Sequence, residues 1–225
     1  MFSFLISNLI IASLAKSPKN TSTCPSIKLQ TDPPLNITEY IKASWYIQQQ
    51  QVTSYQPPES LYCVTATYNM DCHSKVPFFN GTVLSVYNYA NAGMVNGPHT
   101  NNNTVLCARQ KNVSEPEKLL VAPCFLPNLF GGPYWIVEAG PYQDRYEWAV
   151  VSGGQPTVRV SNTTCTTNEI GISNSGLWIF SRKTVLDSQT LHSIRMRMEM
   201  KNISTKNLLN VTHEGCNYTG AFLKF

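Results

Sequence analysis

Apolar and polar residues alternate with a period of two in segments that recur through the middle of this chain, and this alternation restricts the fold more than any other feature. The alternating segments are bounded by clusters of Gly, Pro and Asn and predict eight strands joined by short hairpins. Such a series is typical of an antiparallel up-and-down β-barrel, because closing the sheet removes its exposed edges. The predicted strands are Ser44–Gln50, Ser60–Asn69, Thr82–Tyr89, Thr104–Gln110, Glu117–Ala122, Tyr134–Ala139, Tyr146–Ser152 and Gly176–Arg182.

One segment near the C-terminus follows a helical period instead. Leu191, Ile194 and Met198 recur at three- and four-residue steps, and Asp187 precedes them as a candidate N-cap. The pattern predicts an α-helix over Ser188–Met200 whose apolar side packs on the barrel wall. The expected fold class is therefore all-β, with one C-terminal helix.

The first fifteen residues, MFSFLISNLIIASLA, form an apolar stretch that is too short to span a bilayer. They end in the small-x-small pattern of signal-peptidase sites, which predicts a signal peptide cleaved after Ala15. Residues 16–225 are then expected to form a single domain, since a chain of this length can bury one sizeable core. No other segment is apolar for long enough to cross a membrane.

Cysteines and glycosylation sequons both indicate a secreted glycoprotein. The cysteines lie far apart without a CxxC pair, a spacing that fits disulfides in an oxidising compartment and does not fit a metal site. They are Cys24, Cys63, Cys72, Cys107, Cys124, Cys165 and Cys216. Sequons for N-glycosylation occur at Asn20, Asn36, Asn80, Asn102, Asn112, Asn162, Asn202, Asn210 and Asn217.

Charge and motif content argue against nucleic-acid binding and against catalysis. The 17 basic and 13 acidic residues are spread without a basic run, and the cluster Arg195, Arg197 and Lys201 is expected to be a solvated helix face. No motif for nucleophilic, metal or phosphate chemistry is present, and we expect no cofactor. The histidines, which lie beside no candidate nucleophile, are His73, His99, His192 and His213.

Five segments, taken in order, resemble the lipocalins, and within them the apolipoprotein D group. The segments are CPSIKLQTDPPLNITEYIKASWY, LYCVTATYN, NGTVLSVYNYA, NVSEPEKLLVAPCFLPNLFGGPYWIVEAG and GLWIFSRK. The resemblance as a whole runs from Cys24 to about Cys216. Ala43 replaces the Gly of the family's Gly-x-Trp motif. The family's Thr-Asp-Tyr turn is replaced by the residues Ala-Gly-Pro-Tyr at 139–142.

The resemblance implies a structural role for Trp45 and Arg182 at the barrel floor, with the guanidinium lying over the indole. It also implies two disulfides, Cys63–Cys216 and Cys24–Cys165. For the remaining cysteines we expect Cys107 to pair with Cys124 across the fourth and fifth strands, which leaves Cys72 free or in an intermolecular bond.

Strand parity, combined with the resemblance, predicts which side chains point into the barrel. The inward set is largely apolar with a few polar tips, which suits a small hydrophobic molecule. Glu138 is the one acid that parity places inside, and Val64, Ala66, Leu84 and Leu119 are also expected there. The predicted ligand-binding residues are Tyr68, Val86, Asn88, Val121, Tyr134, Ile136, Trp178 and Phe180.

The expected function is therefore extracellular binding and transport of a small hydrophobic ligand of the lipid, steroid, retinoid or pigment class. Three alternatives remain open at this point. The inward residues could fill a solid core, or the chain could be a lipocalin-fold enzyme such as a de-epoxidase or isomerase. It could also act through its outer surface, as the ligand of a cell-surface receptor or as a protease inhibitor.

Overall fold

A computed structural model of the chain describes residues 23–70, 75–100 and 104–222. The predicted signal peptide, Asn20, Cys72, His73 and Asn102 lie outside these residues. Within the described part, no helix is long and apolar enough to cross a membrane.

Eight strands form a closed antiparallel barrel, and this confirms the predicted fold class. Each barrel strand pairs with the next along the chain, and the last one returns to pair with the first. The barrel strands are β1 Trp45–Gln50, β2 Tyr62–Met70, β3 Thr82–Asn91, β4 Val105–Gln110, β5 Lys118–Pro123, β6 Gly132–Tyr142, β7 Arg145–Ser152 and β10 Leu177–Ser181. Short strands β8 Val158–Arg159 and β9 Cys165–Thr166 pair with each other, and β11 Leu209–Asn210 adds to the edge of β1.

Two α-helices accompany the barrel among the residues described. The short α1, Ile37–Ile41, precedes β1, and α2 spans the predicted range Ser188–Met200. The Asp187 carboxylate caps α2 by accepting from the Thr190 backbone N–H at 2.8 Å, and this hydrogen bond lowers the pKa of Asp187. Single 3₁₀ turns lie at Pro58–Ser60 and Asn128–Phe130.

The barrel wall separates an interior core from an outer core beneath α2. Ile194 and Met198 of the helix are fully buried, and they pack on outward-facing residues of the wall. Those wall residues are Val137, Val150, Leu177 and Ile179. Their neighbours in sequence, such as Val151 and Phe180, belong to the interior core, as a period-two wall requires.

The barrel floor is closed by a contact between its first and last strands. The Arg182 guanidinium carbon lies 3.4 Å from the centroid of the Trp45 ring, and Trp45 is fully buried. Arg182 also donates to the carbonyl of Tyr40 at 2.8 Å and to that of Ser44 at 3.1 Å, while the Trp45 indole N–H donates to Tyr40 at 3.0 Å. Burial lowers the pKa of Arg182 to about 10, so the side chain keeps its charge at neutral pH. Ala43 stands before β1 at the position of the Gly in the Gly-x-Trp motif. It fits there because its φ is not positive.

Three disulfides attach the ends of the chain to the barrel and link two of its strands. Cys24–Cys165 holds the N-terminal arm, and Cys63–Cys216 holds the C-terminal tail against β2. Cys107–Cys124 links β4 to the residue that follows β5. The first two close loops of 141 and 153 residues, for which the chain-entropy model gives on the order of 5 kcal/mol each.

A β-bulge in β6 makes the prediction for Glu138 wrong. Ile136 pairs with Val151 but Glu138 pairs with Val150, so one extra residue shifts the register and reverses the alternation. Ile136 points inward, whereas Glu138 points outward and accepts from Arg197 Nε of α2 at 2.7 Å.

Arg197 is exposed, as expected for a solvated helix face, but the cluster also makes contacts that were not predicted. Arg197 and Lys201 both lie within ion-pair distance of Glu138. Arg195 donates to the Thr205 carbonyl at 3.0 Å. These cations therefore attach α2 to β6 of the barrel wall and to the segment that follows the helix.

We expect Trp45→Ala to lower the free energy of unfolding by about 3–5 kcal/mol, because it removes a buried aromatic ring and the surface on which Arg182 lies. Chemical denaturation of both forms measures the change. Trp135→Ala, at a partly exposed indole on the outer wall, is the matched control and should cost less. A Trp45→Ala protein that unfolds like the wild type but no longer binds ligand would place Trp45 in the binding site instead.

His213 should make stability depend on pH. Its Nε2 lies 2.7 Å from the Ile47 carbonyl oxygen and must donate, so the neutral ring accepts from the Tyr218 hydroxyl at Nδ1. Burial lowers the pKa of His213 below 6.5. The unfolded chain therefore takes up the proton first, and the free energy of unfolding should fall as the pH drops below about 6.5.

Comparing wild type with His213→Gln across this range isolates the contribution of His213, and His192→Gln on the exposed side of α2 is the control. Parallel curves for wild type and His213→Gln would contradict the prediction.

Candidate ligand cavity in the barrel

A cavity of about 590 Å³ occupies the barrel interior. Side chains of the β1–β2, β3–β4 and β5–β6 connections line it, together with residues of the connection that precedes β10. In an up-and-down barrel these connections lie at one end, opposite Trp45. The cavity therefore opens at the end away from the floor.

Seven of the eight predicted ligand-binding residues line this cavity. They are Tyr68, Val86, Asn88, Val121, Tyr134, Trp178 and Phe180. Ile136 belongs to the interior core but does not reach the cavity surface. Val64 and Ala66 also line the cavity, whereas Leu84 and Leu119 pack behind its surface.

The described residues that line the cavity include no Asp, Glu, His, Lys, Arg or Cys. No group of three or more described His, Cys, Asp or Glu residues is placed to hold a metal ion. The chemistry available at this surface is apolar contact, aromatic stacking and hydrogen bonding by hydroxyl and amide groups.

Trp178 is positioned by a glycine two residues earlier. Gly176 has a φ of +92°, and a Cβ at that position would overlap the Trp178 ring. The absence of a side chain therefore lets the indole lie against the backbone, where it is partly buried and lines the cavity.

Three tyrosine hydroxyls meet near the floor. The Tyr134 hydroxyl lies 2.6 Å from that of Tyr40 and 2.7 Å from that of Tyr68. Burial raises the pKa of all three phenols, so they stay neutral at physiological pH. Tyr40 comes from α1 and was not predicted, since strand parity gives no information about a helical residue.

Gln50 is a second polar group that sequence reasoning missed. It pairs with Trp178 across β1 and β10 and so shares the face of that residue. Its side chain is fully buried, and neither its amide nitrogen nor its oxygen has a hydrogen-bond partner in the described part of the chain. A register shift between Ile47 and Gln49 puts Gln50 on this face, and an unbroken alternation would not.

Connections at the mouth supply further unpredicted lining residues. Tyr55 and Gln56 come from the β1–β2 connection, Phe130 from the β5–β6 connection, and Ile172 and Ser175 from the segment before β10. Asn88 lines the cavity and is nevertheless exposed, which shows that solvent reaches the site.

A larger cleft of about 1070 Å³ lies outside the barrel, between the N-terminal arm, the end of β6 and α2. Charged residues such as Lys28, Glu115, Lys118 and Arg197 line it. Its charged surface does not suit an apolar ligand, so the barrel cavity is the better candidate despite its smaller volume.

No family model matches the sequence, and no curated protein matches it significantly. Solved structures with the same fold include lobster apocrustacyanin A1, at 17% identity over 88% of this chain and 94% of that chain, with a TM-score of 0.56. Apocrustacyanin C2 matches at 17% identity over 92% and 98%, with a TM-score of 0.55. The cockroach major allergen Per a 4 matches at 15% identity over 88% and 98%, with a TM-score of 0.51. At these identities the likeness establishes a shared lipocalin fold and nothing finer.

Proposed function

We propose that this chain is a secreted lipocalin of the apolipoprotein D-like group that binds and transports a small hydrophobic ligand inside its barrel. The observation that carries the proposal is the barrel cavity, whose described lining is largely apolar and contains no charged side chain. Its volume of about 590 Å³ lies within the usual range for small-molecule sites, roughly 300–1000 Å³.

Aromatic side chains support the proposed ligand class. Trp178 and Phe180 line the cavity from β10, and Tyr134 does so from β6. Flat rings offer a large contact area at a small entropic cost, which favours a lipid, steroid, retinoid or pigment. Solvent access at the mouth gives such a molecule a route into the barrel.

Binding is favoured over catalysis because the described cavity surface supplies no carboxylic acid, imidazole, amine or thiol. The tyrosine phenols have raised pKa values and would not act as bases near neutral pH. The isomerase and de-epoxidase alternatives would require such a group beside the ligand.

Secretion and glycosylation are supported by the disulfides and by the exposure of the sequons. Bridges that tie down both ends of the chain are typical of oxidising compartments. Asn36 and Asn202 are partly buried. The exposed sequon residues are Asn80, Asn112, Asn162, Asn210 and Asn217.

Trp178→Ala should weaken ligand binding by about 1–3 kcal/mol, the scale of burying one large apolar side chain, while unfolding stays cooperative. Fatty acids, steroids and retinoids form the test panel, and binding is measured by competition with a fluorescent apolar probe so that the signal does not depend on Trp178. In wild type the same ligands should quench tryptophan fluorescence. Trp135→Ala, on the outer wall beneath Lys118, is the control.

A panel in which no compound displaces the probe from wild type would overturn the transport proposal. Equal affinities for wild type and Trp178→Ala would remove Trp178 from the site.

Glycans should be found at the five exposed sequons when the full chain is made in a eukaryotic secretory host. Enzymatic removal in heavy-oxygen water converts each occupied Asn to a labelled Asp, which peptide mass spectrometry locates. We expect occupancy to be lower at Asn36, whose side chain accepts from the Glu39 backbone N–H and is partly buried. Unlabelled peptides at all five exposed sites would contradict the glycoprotein assignment.

A further inference from the structure

Large apolar side chains are exposed at the open end of the barrel. They project from the β1–β2 connection, the β5–β6 connection and the segment before β10, and each exposes between 53% and 88% of its surface. We call this set the apolar rim. Its members are Tyr55, Phe125, Leu129, Phe130, Ile170 and Ile172.

The connections that carry the rim are joined to one another. The backbone N–H of Ser54 donates to the Glu169 carbonyl at 2.9 Å, and this hydrogen bond joins the β1–β2 connection to the segment before β10. The Ile172 carbonyl lies so close to Gly132, the first residue of β6, that a Cβ at Gly132 would overlap it. The segment before β10 therefore also packs against the end of the β5–β6 connection.

The rim is continuous with the barrel cavity. Tyr55, Phe130 and Ile172 are exposed to solvent and also line the cavity. Phe125 and Leu129 lie on the β5–β6 connection beside Phe130 but do not line the cavity. An apolar surface therefore extends from the outside of the protein into the barrel.

The connections that carry the rim have no basic side chain. Within residues 51–61, 124–131 and 167–176, the charged residues are Glu59 and Glu169. A surface rich in anionic lipid attracts Lys and Arg, so this end of the barrel does not fit one. Choline headgroups carry a quaternary ammonium group, which carboxylates and aromatic faces attract. A membrane of choline phospholipids, which has no net charge, therefore fits the rim.

The sequons leave the rim uncovered. No sequon falls within residues 51–61, 124–131 or 167–176, whereas Asn80 and Asn112 are exposed in connections at the floor end of the barrel. A glycan is bulky and hydrophilic, so one attached to the rim would keep it away from lipid. The three connections thus have both the composition and the access that contact with a membrane requires.

We propose that the apolar rim inserts into the surface of a choline phospholipid membrane, with the mouth of the cavity facing the lipid. Insertion removes exposed apolar side chains from water, and exposed apolar patches of this kind mark interaction surfaces. A fluid bilayer accepts separate projecting side chains, whereas a protein partner has to match their shape. Only the transfer of a ligand between this membrane and the barrel rests on the proposed function.

Vesicles of phosphatidylcholine test the docking, with the full chain produced in a eukaryotic secretory host. Phe125→Ser combined with Leu129→Ser should lower vesicle binding by at least about tenfold, because it removes two apolar side chains that would leave water. Neither residue lines the cavity, so the site inside the barrel is unchanged. Sedimentation with the vesicles measures binding, and high salt should leave wild-type binding in place.

The matched control lies at the floor end. Phe78 and Val113 are 99% and 80% exposed in the β2–β3 and β4–β5 connections. Phe78→Ser combined with Val113→Ser makes the same kind of change there and should bind vesicles like wild type. Vesicles should also shift the emission that Leu129→Trp adds to shorter wavelength, and should not shift the emission that Phe78→Trp adds.

Separate outcomes bear on the docking and on the transport function. Failure of wild type to bind phosphatidylcholine vesicles, binding that requires anionic lipid and is lost at high salt, or equal binding by wild type and the Phe125→Ser, Leu129→Ser variant would overturn the docking. A dimer in vesicle-free buffer that this variant loses would also overturn it, because the rim would then cover a second copy of the chain.

Without vesicles, the same variant should bind the fluorescent apolar probe as wild type does, which shows that its barrel is folded. A wild type that binds vesicles but none of the fatty acids, steroids and retinoids would support the docking and count against the transport function. A wild type that binds those ligands but no vesicles would do the reverse.

Discussion

The contact between Arg182 and Trp45 is the interaction on which the rest of this structure depends. It joins the end of the last barrel strand to the start of the first, and the same guanidinium donates to the carbonyls of Tyr40 in α1 and of Ser44, which follows α1. Because α1 is held there, Tyr40 lies beneath the interior and its hydroxyl reaches that of Tyr134. Closure of the floor and the polar end of the cavity therefore have one common cause.

The two faces of the barrel wall have different surroundings. Its inner face surrounds an apolar cavity, while its outer face would be exposed to water if nothing covered it. The helix α2 buries one part of the outer face, and the C-terminal tail, held by the Cys63–Cys216 bond, packs beside Tyr87 and Tyr89 on another. Since these elements bury apolar surface outside the barrel, the interior does not have to be filled for the protein to be stable.

Much of the architecture was predictable because its signals are local. Alternation within single segments located the eight barrel strands, and the helical period with Asp187 as its cap located Ser188–Met200. Parity then selected cavity residues such as Tyr68 and Trp178. Parity placed Glu138 on the wrong face of the wall and did not identify Gln50 as an inward residue. Each of these residues lies next to a register shift. One extra residue in a strand reverses the face of every residue after it, and nothing in a short stretch of sequence marks such a shift.

The sequence by itself thus determined which segments become strands or helix, because the side-chain period within a segment decides which of its faces can be buried. The tertiary structure alone decided how these segments meet. Tyr40 and Tyr134 are 94 positions apart and come from a helix and a strand, yet their hydroxyls form a hydrogen bond. Such contacts depend on how the floor closes and where the bulges fall, and those follow from packing over the whole barrel.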